Sequence, residues 1–121
     1  MAFKCAIRHK GDVAILDLEG ILSLDDPRAS RGGDTVGLVE KVRELTDGGQ
    51  RKILLNFARV SYMDSAGIGQ LIGAHTSVRN RGAALKLMKP TRDVRKLLDL
   101  TQLSRVIDIR DDEESAIAAF A

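Results

Sequence analysis

Residues Asp64-Ser65-Ala66-Gly67-Ile68-Gly69 set a hydroxyl beside a carboxylate where a β-type run gives way to an apolar helical pattern. Four chemistries suit such a serine: helix capping, nucleophilic attack, a place in a phosphate cradle, or acceptance of a phosphoryl group. As a cap, Ser65 stands where the expected helix begins, and serine there is worth about 1 kcal/mol over alanine. As a nucleophile it lacks its surroundings. The strand-to-helix elbow of serine hydrolases carries glycine two residues before and two after the serine; Gly67 is present, but Met63 occupies the earlier position. A general base is missing as well. His9 belongs to the expected first strand, and His75 lies ten residues along Ser65's own helix, on its apolar face. The chain is therefore read as not an enzyme.

The glycines at 67, 69 and 73 follow a strand, as in a dinucleotide-binding loop, but that pattern needs glycine at its sixth position, where Ile72 stands. Their other use is steric: small residues in a first turn let the helix start approach neighbouring backbone or a partner. No Cys/His pair has the spacing of a metal site, and Asp25-Asp26 reads as a solvated loop pair; no metal or cofactor is expected. Phosphate acceptance has a physical basis. Free N–H groups and the helix dipole stabilise anions at a helix start, so a phosphoryl group on Ser65 would add roughly −2 of charge without melting the helix. A protein docking on that surface would feel the change.

The elements that must position this motif alternate. "FKCAIRHKGDVAILDLEG" reads as two strands reversing at Lys10-Gly11-Asp12, and "SLDDPRASRGGD" as an exposed loop. In "DTVGLVEKVRELTDGG", Val36, Val39, Val42 and Leu45 recur at helical spacing with Leu38 beside them, until Gly48-Gly49 stop the helix. "RKILLNF" is the unbroken apolar run of a strand covered on both faces. After the motif, Ile68, Leu71, Ile72, His75 and Val78 trace one helical face ending near Gly82. "ALKLMKP" reads as a strand, "TRDVRKLLDL" as a helix capped by Thr91 with Val94, Leu97 and Leu98 inward, and "RVIDI" as a brief strand. "DDEESAIAAF" reads as a last helix with its acids in the first turn. The order β-β-α-β-α-β-α-β-α means an α/β fold with a mixed sheet, the first pair being a hairpin.

The whole chain limits the function classes. Its 121 residues fit one domain, 1–121, able to bury about two thirds of its extended surface. With one Tyr, three Phe and no Trp, the core is aliphatic and base-stacking platforms are lacking. A net charge of +2 from 19 basic and 17 acidic residues, well mixed, is too balanced for a face that tracks nucleic acid. Cys5 stands alone, which fits a reducing compartment. With neither a ~20-residue apolar run nor a signal-peptide core, the expectation is a cytoplasmic protein, monomeric when free. Cys5 and His75 are read as core-facing, and Arg79, Arg81 and Lys86 as a solvated helix end.

Taken together, "VSYMDSAGIGQLIGAHTSVRNRGAALKLMKPTRDVRKLLDLTQLSRVIDI" resembles the STAS domain, and within it the small stand-alone anti-sigma-factor antagonists of bacteria. The resemblance runs from about Phe3 to Phe120 and is most specific at Asp64 to Gly69. It implies a mixed four- to five-stranded sheet with helices mainly on one face, and a partner-switching role in sigma-factor control. In that scheme the unmodified antagonist binds an anti-sigma factor that is also a serine kinase, phosphorylation of the serine separates them, and a metal-dependent serine phosphatase resets the protein. Ser65 matches the phosphorylated serine, and Asp64 the acid that shapes the site and meets the kinase. Ala66, Gly67, Ile68 and Gly69 match the helix start on which the partner packs, and Ser23 and Asp25 fall in the loop bordering it. Three departures stand out. Ser23 replaces an acid after Gly20-Ile21-Leu22, Asn56 replaces an aspartate at the third strand, and Ala66 replaces a second serine, which leaves Ser65 as the motif's sole acceptor. A non-switching accessory subunit of a lipid-transport ATPase is the alternative within the family; Ser65 argues against it.

Overall fold

The structure is a computed structural model describing residues 4–22 and 37–121; Ser23, Asp25, Asp26 and Val36 lie outside the described residues. Its elements run β1 (Lys4–Lys10), β2 (Val13–Leu22), α1 (Leu38–Asp47), β3 (Lys52–Met63), α2 (Ser65–Asn80), β4 (Ala84–Met88), α3 (Arg92–Leu100), a 3-10 turn (Leu103–Arg105), β5 (Asp108–Arg110) and α4 (Glu113–Ala118). β1 and β2 form the expected hairpin, with Lys10 paired to Val13 and Gly11 at φ +61 in the turn. Sheet order equals chain order, β1-β2-β3-β4-β5, and every pairing after the hairpin is parallel.

That topology decides where the helices go. Right-handed crossovers that all step in one direction leave their helices on one face of the sheet. Accordingly Leu38 and Val42 of α1, Leu71 and Val78 of α2, and Val94 and Leu98 of α3 share one cluster with Leu16, Leu55, Phe57 and Leu87. α4 follows the last strand and covers the other face, where Ala116, Ile117 and Phe120 meet Val13, Ile15, Leu54 and Met88. The run Ile53-Leu54-Leu55 is thus buried on both faces, alternating between the two clusters.

Beyond the hydrophobic part, the second face is polar and ion-paired. Arg8 holds Asp17 at 2.8 Å and also reaches Glu113 of α4, while Asn56 donates to Asp17 at 2.8 Å. Asn56 thus points toward α4's face of the sheet, opposite α2. Partial burial pushes the Asp17 carboxyl up, but hydrogen bonds from Arg8 and Asn56 outweigh it and hold the group below its ordinary range. Glu113 is held low chiefly by its hydrogen bonds from Arg8.

Several expectations are corrected. Ile72 is 45% exposed, because the inward stripe of α2 runs through Ile68, Leu71, Ala74 and Val78. The helix turns small residues toward its neighbour: a Cβ on Gly73 would stand 3.1 Å from Val39 of α1. His75 is half-buried, and burial, with the Arg79 charge second, lowers its pKa. Cys5, by contrast, packs against the core from β1 as expected, though only half-buried, and burial raises its thiol pKa. Arg79, Arg81 and Lys86 do not cluster. Arg81 bonds Asp47 and Ser77 beside α1, whereas Lys86 pairs with Asp108 at 3.0 Å and sits 5.2 Å above the Phe120 ring on the second face. The last strand is shorter than "RVIDI" promised. Gln102 turns the chain at φ +62, Leu103 and Ile107 point inward, and Val106 between them is 57% exposed.

Candidate functional site

β3 is two residues longer than its partner requires. Its pairing with β2 shifts register between Asp17 and Glu19 and again between Gly20 and Ile21. The Ser61 hydroxyl donates to the Gly20 carbonyl at 3.2 Å beside the second irregularity. The strand then runs through Tyr62, 53% exposed, and buried Met63 straight into Asp64.

Asp64, not Ser65, is the N-cap of α2, which corrects the reading of Ser65 as cap. Asp64 has extended backbone at φ −114, and its Oδ1 accepts from the Gly67 N–H at 2.9 Å. Its carbonyl accepts the helix's first backbone bond, from Ile68. Ser65 is the first helical residue and is exposed. A carboxylate cap satisfies one of the orphan N–H groups and complements the positive end of the dipole.

The two glycines of the motif differ. Gly67 is buried, and a Cβ there would overlap the Leu22 carbonyl oxygen and stand 2.6 Å from Met63 Cγ. Its lack of a side chain lets α2 begin against the end of β2. Gly69 is exposed, and a Cβ there would meet nothing within 4 Å. Ile68 is 8% exposed, so with Gly67 it seats the helix before it serves any contact. Ala66 and Asp64 are half-buried. The exposed residues Ser65, Gly69 and Ile72, spaced i, i+4 and i+7, share one helical face.

Around this start the fold is braced. Thr91 occupies the cap position of α3, but its hydroxyl makes no cap bond and donates instead to the Val60 carbonyl at 3.2 Å. An open groove of about 310 Å³ runs between the end of β3 and α3, lined by Tyr62, Met63, Val94, Leu97 and exposed Leu100, with Lys96 on its rim. On α1, Gly37 offers no side-chain cap, and Gln70 of α2 supplies the acceptor: its Oε1 receives the Leu38 N–H at 3.3 Å.

The structure therefore brings together Asp64, Ser65, Ala66 and Gly69 as an accessible helix start, and places Ser23 and Asp25 outside its described residues. No histidine joins them. His75 sits about 15 Å along the helix from Ser65 at 1.5 Å per residue, and His9 is on β1, two strands from β3. The arrangement presents a hydroxyl, a neighbouring carboxylate and flanking apolar groups. Sequence reasoning missed Tyr62, Ile72 and Gln70. A polar residue at 70 within an otherwise apolar helix start was the one signal for the last of these.

Comparison with known proteins agrees with this architecture. Among curated proteins, the anti-sigma-B factor antagonist of Bacillus subtilis is 38% identical over 58 residues, covering 48% of this chain and 53% of that protein. The anti-sigma-B factor antagonist of Listeria monocytogenes is 35% identical over 77 residues, covering 60% and 68%. The match thus spans about half the length of the first relative and two thirds of the second. The solved anti-sigma factor antagonist SpoIIAA shares the fold. Its unphosphorylated form superposes with a TM-score of 0.71 at 24% identity, covering 98% of this chain and 96% of that one. Its phosphorylated form superposes at 0.66 and 22% identity, covering 99% and 100%. The STAS domain description matches residues 34–116, which include the capped helix start, β3, β4 and α3; the chain belongs to the STAS domain family.

Proposed function

We propose that this chain is an anti-sigma-factor antagonist: unphosphorylated, it binds an anti-sigma serine kinase, and phosphorylation of Ser65 releases it, controlling sigma-factor-dependent transcription. A metal-dependent serine phosphatase restores the binding form. The observation that carries this reading is the division of labour at the helix start. Asp64 makes the cap, so exposed Ser65 is modified without loosening α2. Ser65 also lies on the face that exposes Ile72, close in sequence to exposed Tyr62. An apolar contact surface of that kind tolerates a hydroxyl and is disrupted by roughly −2 of charge. The names of the chain's relatives support the same role.

The test is to incubate the protein with ATP and a histidine-kinase-like anti-sigma protein from the same organism, then measure intact mass and affinity. Wild type gains one phosphoryl group. Ser65→Ala gains none and keeps its affinity, and Ser65→Asp binds at least about tenfold more weakly, a loss of about 1.4 kcal/mol. Thermal melts of both variants stay close to wild type. Equal binding by Ser65→Asp, or phosphorylation of Ser65→Ala, would overturn the proposal.

A further inference from the structure

Among the described residues three polar side chains are buried: Thr46, Gln70 and Ser77. Thr46 bonds carbonyls of its own helix, and Ser77 accepts from Arg43 and Arg81 at the far end of the α1–α2 pair. Gln70 is different in kind. It lies five residues beyond Ser65 on the same helix, and its carboxamide satisfies an orphan N–H at the start of another helix. Leu38 is the first residue of α1, and a side chain at the cap position would serve the N–H groups one and two residues further on, so the acceptor for the Leu38 N–H comes from outside the helix.

The location gives this bond a second consequence. The described chain leaves β2 at Leu22 and resumes at Gly37. Leu22 is pressed against Gly67, and Leu38 is bonded to Gln70. Both points are held by the first two turns of α2, the turns that carry Ser65. Gly73 against Val39 sets how closely the helices approach, and a methyl group there would already be tight. Close packing sets distance but still permits sliding along the axis, which directed hydrogen bonds resist: Arg43 to Ser77 and Arg81 to Asp47 at the far end, and Leu38 to Gln70 at the end that carries Ser65.

We propose that Gln70 is a positioning residue for partner recognition: its carboxamide fixes the first turn of α1 beside Ser65's helix, so a partner meets the two helix starts in one relative position. The inference rests on the kinase-substrate reading above. It assigns Gln70 no contact with the transferred phosphoryl group, so loss of the bond weakens recognition while leaving the chemical step at Ser65 intact.

The experiment compares Gln70→Met, which keeps the buried shape and removes the acceptor, with Gln70→Glu, which keeps an acceptor. It also includes the double variant Gln70→Met/Gly37→Ser. The Gly37→Ser change gives α1 a side-chain cap from its own chain, and the added Cβ would displace only the flexible end of Glu40. By accepting from the Val39 or Glu40 N–H, that cap offsets the lost helix stability without restoring the link between helices. With ATP and the kinase, Gln70→Met should raise the KM for this protein about tenfold, equivalent to about 1.4 kcal/mol, with kcat within about twofold. Gln70→Glu should return KM to near wild type. The double variant should regain the thermal midpoint while its KM stays raised. If the double variant regains wild-type KM, Gln70 is a cap and nothing more, and the proposal falls. An unchanged KM in Gln70→Met overturns it as well, and so does a fall in kcat alone. Should Gln70→Met not fold, the double variant and Gln70→Glu decide the matter by the same KM comparison. Wild type that is never phosphorylated refutes the kinase-substrate reading and this inference with it, an outcome distinct from one in which Ser65 variants behave as expected and Gln70 variants do not.

Discussion

Replacing each glycine of the Gly67-Ile68-Gly69 motif by alanine should have unequal effects. At Gly67 the new methyl group would overlap the Leu22 carbonyl oxygen and crowd Met63 Cγ at 2.6 Å. Met63 can adjust, but the backbone carbonyl at the end of β2 cannot without shifting the strand or the start of α2. Overpacking of that kind costs about 1–3 kcal/mol. At Gly69 the methyl group meets nothing within 4 Å, inside a helix, where alanine is favoured over glycine by about 0.8–1 kcal/mol. Because that preference applies at both helical positions, the two variants should differ by the overpacking cost, about 1–3 kcal/mol in unfolding free energy, with Gly67→Ala the less stable and Gly69→Ala above wild type. Urea titration followed by circular dichroism measures this directly, with unchanged m values showing that the denatured state is not the source. If Gly67→Ala proves as stable as Gly69→Ala, or Gly69→Ala less stable than wild type, the assignment of one glycine to close packing and the other to open surface is wrong.

Removing the carboxylate cap with Asp64→Ala should cost about 1 kcal/mol, while Asp64→Asn should cost less, as read from thermal midpoints; equal losses would contradict the cap assignment. Gln102 holds φ +62, so Gln102→Gly should raise stability by about 0.5–1 kcal/mol, and a lowered melting temperature would show that its side chain matters more than its backbone. Glu113 has a folded-state pKa below its ordinary value, so its contribution is present above the unfolded value of about 4.3 and is lost as pH falls through the folded one. Glu113→Gln should then be less stable than wild type at pH 7, with the gap closing as pH falls below the ordinary glutamate range; a constant gap between neutral and acid pH in urea titrations would count against the Arg8–Glu113 pair.

Much of this fold was legible because period and punctuation agreed. Gly11 marked the hairpin, Gly48-Gly49 ended α1, and Ile53-Leu54-Leu55 announced a strand buried twice over. Where the reading failed, the inward side was marked by small or polar residues rather than bulky ones. Ile72 looked like core because it is apolar, but the helix turns Gly73, Ala74 and Gln70 toward its neighbours. The cap was misassigned for a related reason. Asp64 and Ser65 are both good caps, and hydropathy does not distinguish them; strand β3 running as far as Met63 does. The cluster of Arg79, Arg81 and Lys86 dissolved because neighbours in sequence were separated by a sheet.

Because strand order follows chain order, each β-strand adds to an edge its predecessor has just made, with the parallel pairs spanning 22 positions at Lys86–Asp108 and 39 at Val13–Lys52. The second face reaches further still. Arg8 and Glu113 are separated by 105 positions, and α4 rests on Val13, Ile15, Leu54 and Met88, drawn from three different strands. Its docking site does not exist until β2, β3 and β4 are all in place. A chain in which α4 has frayed or has yet to dock therefore presents four adjacent apolar side chains on an assembled sheet, away from the Ser65 face. Self-association during synthesis, or in acid below the ordinary glutamate range, where the Glu113 tether weakens, would begin there and leave the helix start carrying Ser65 intact.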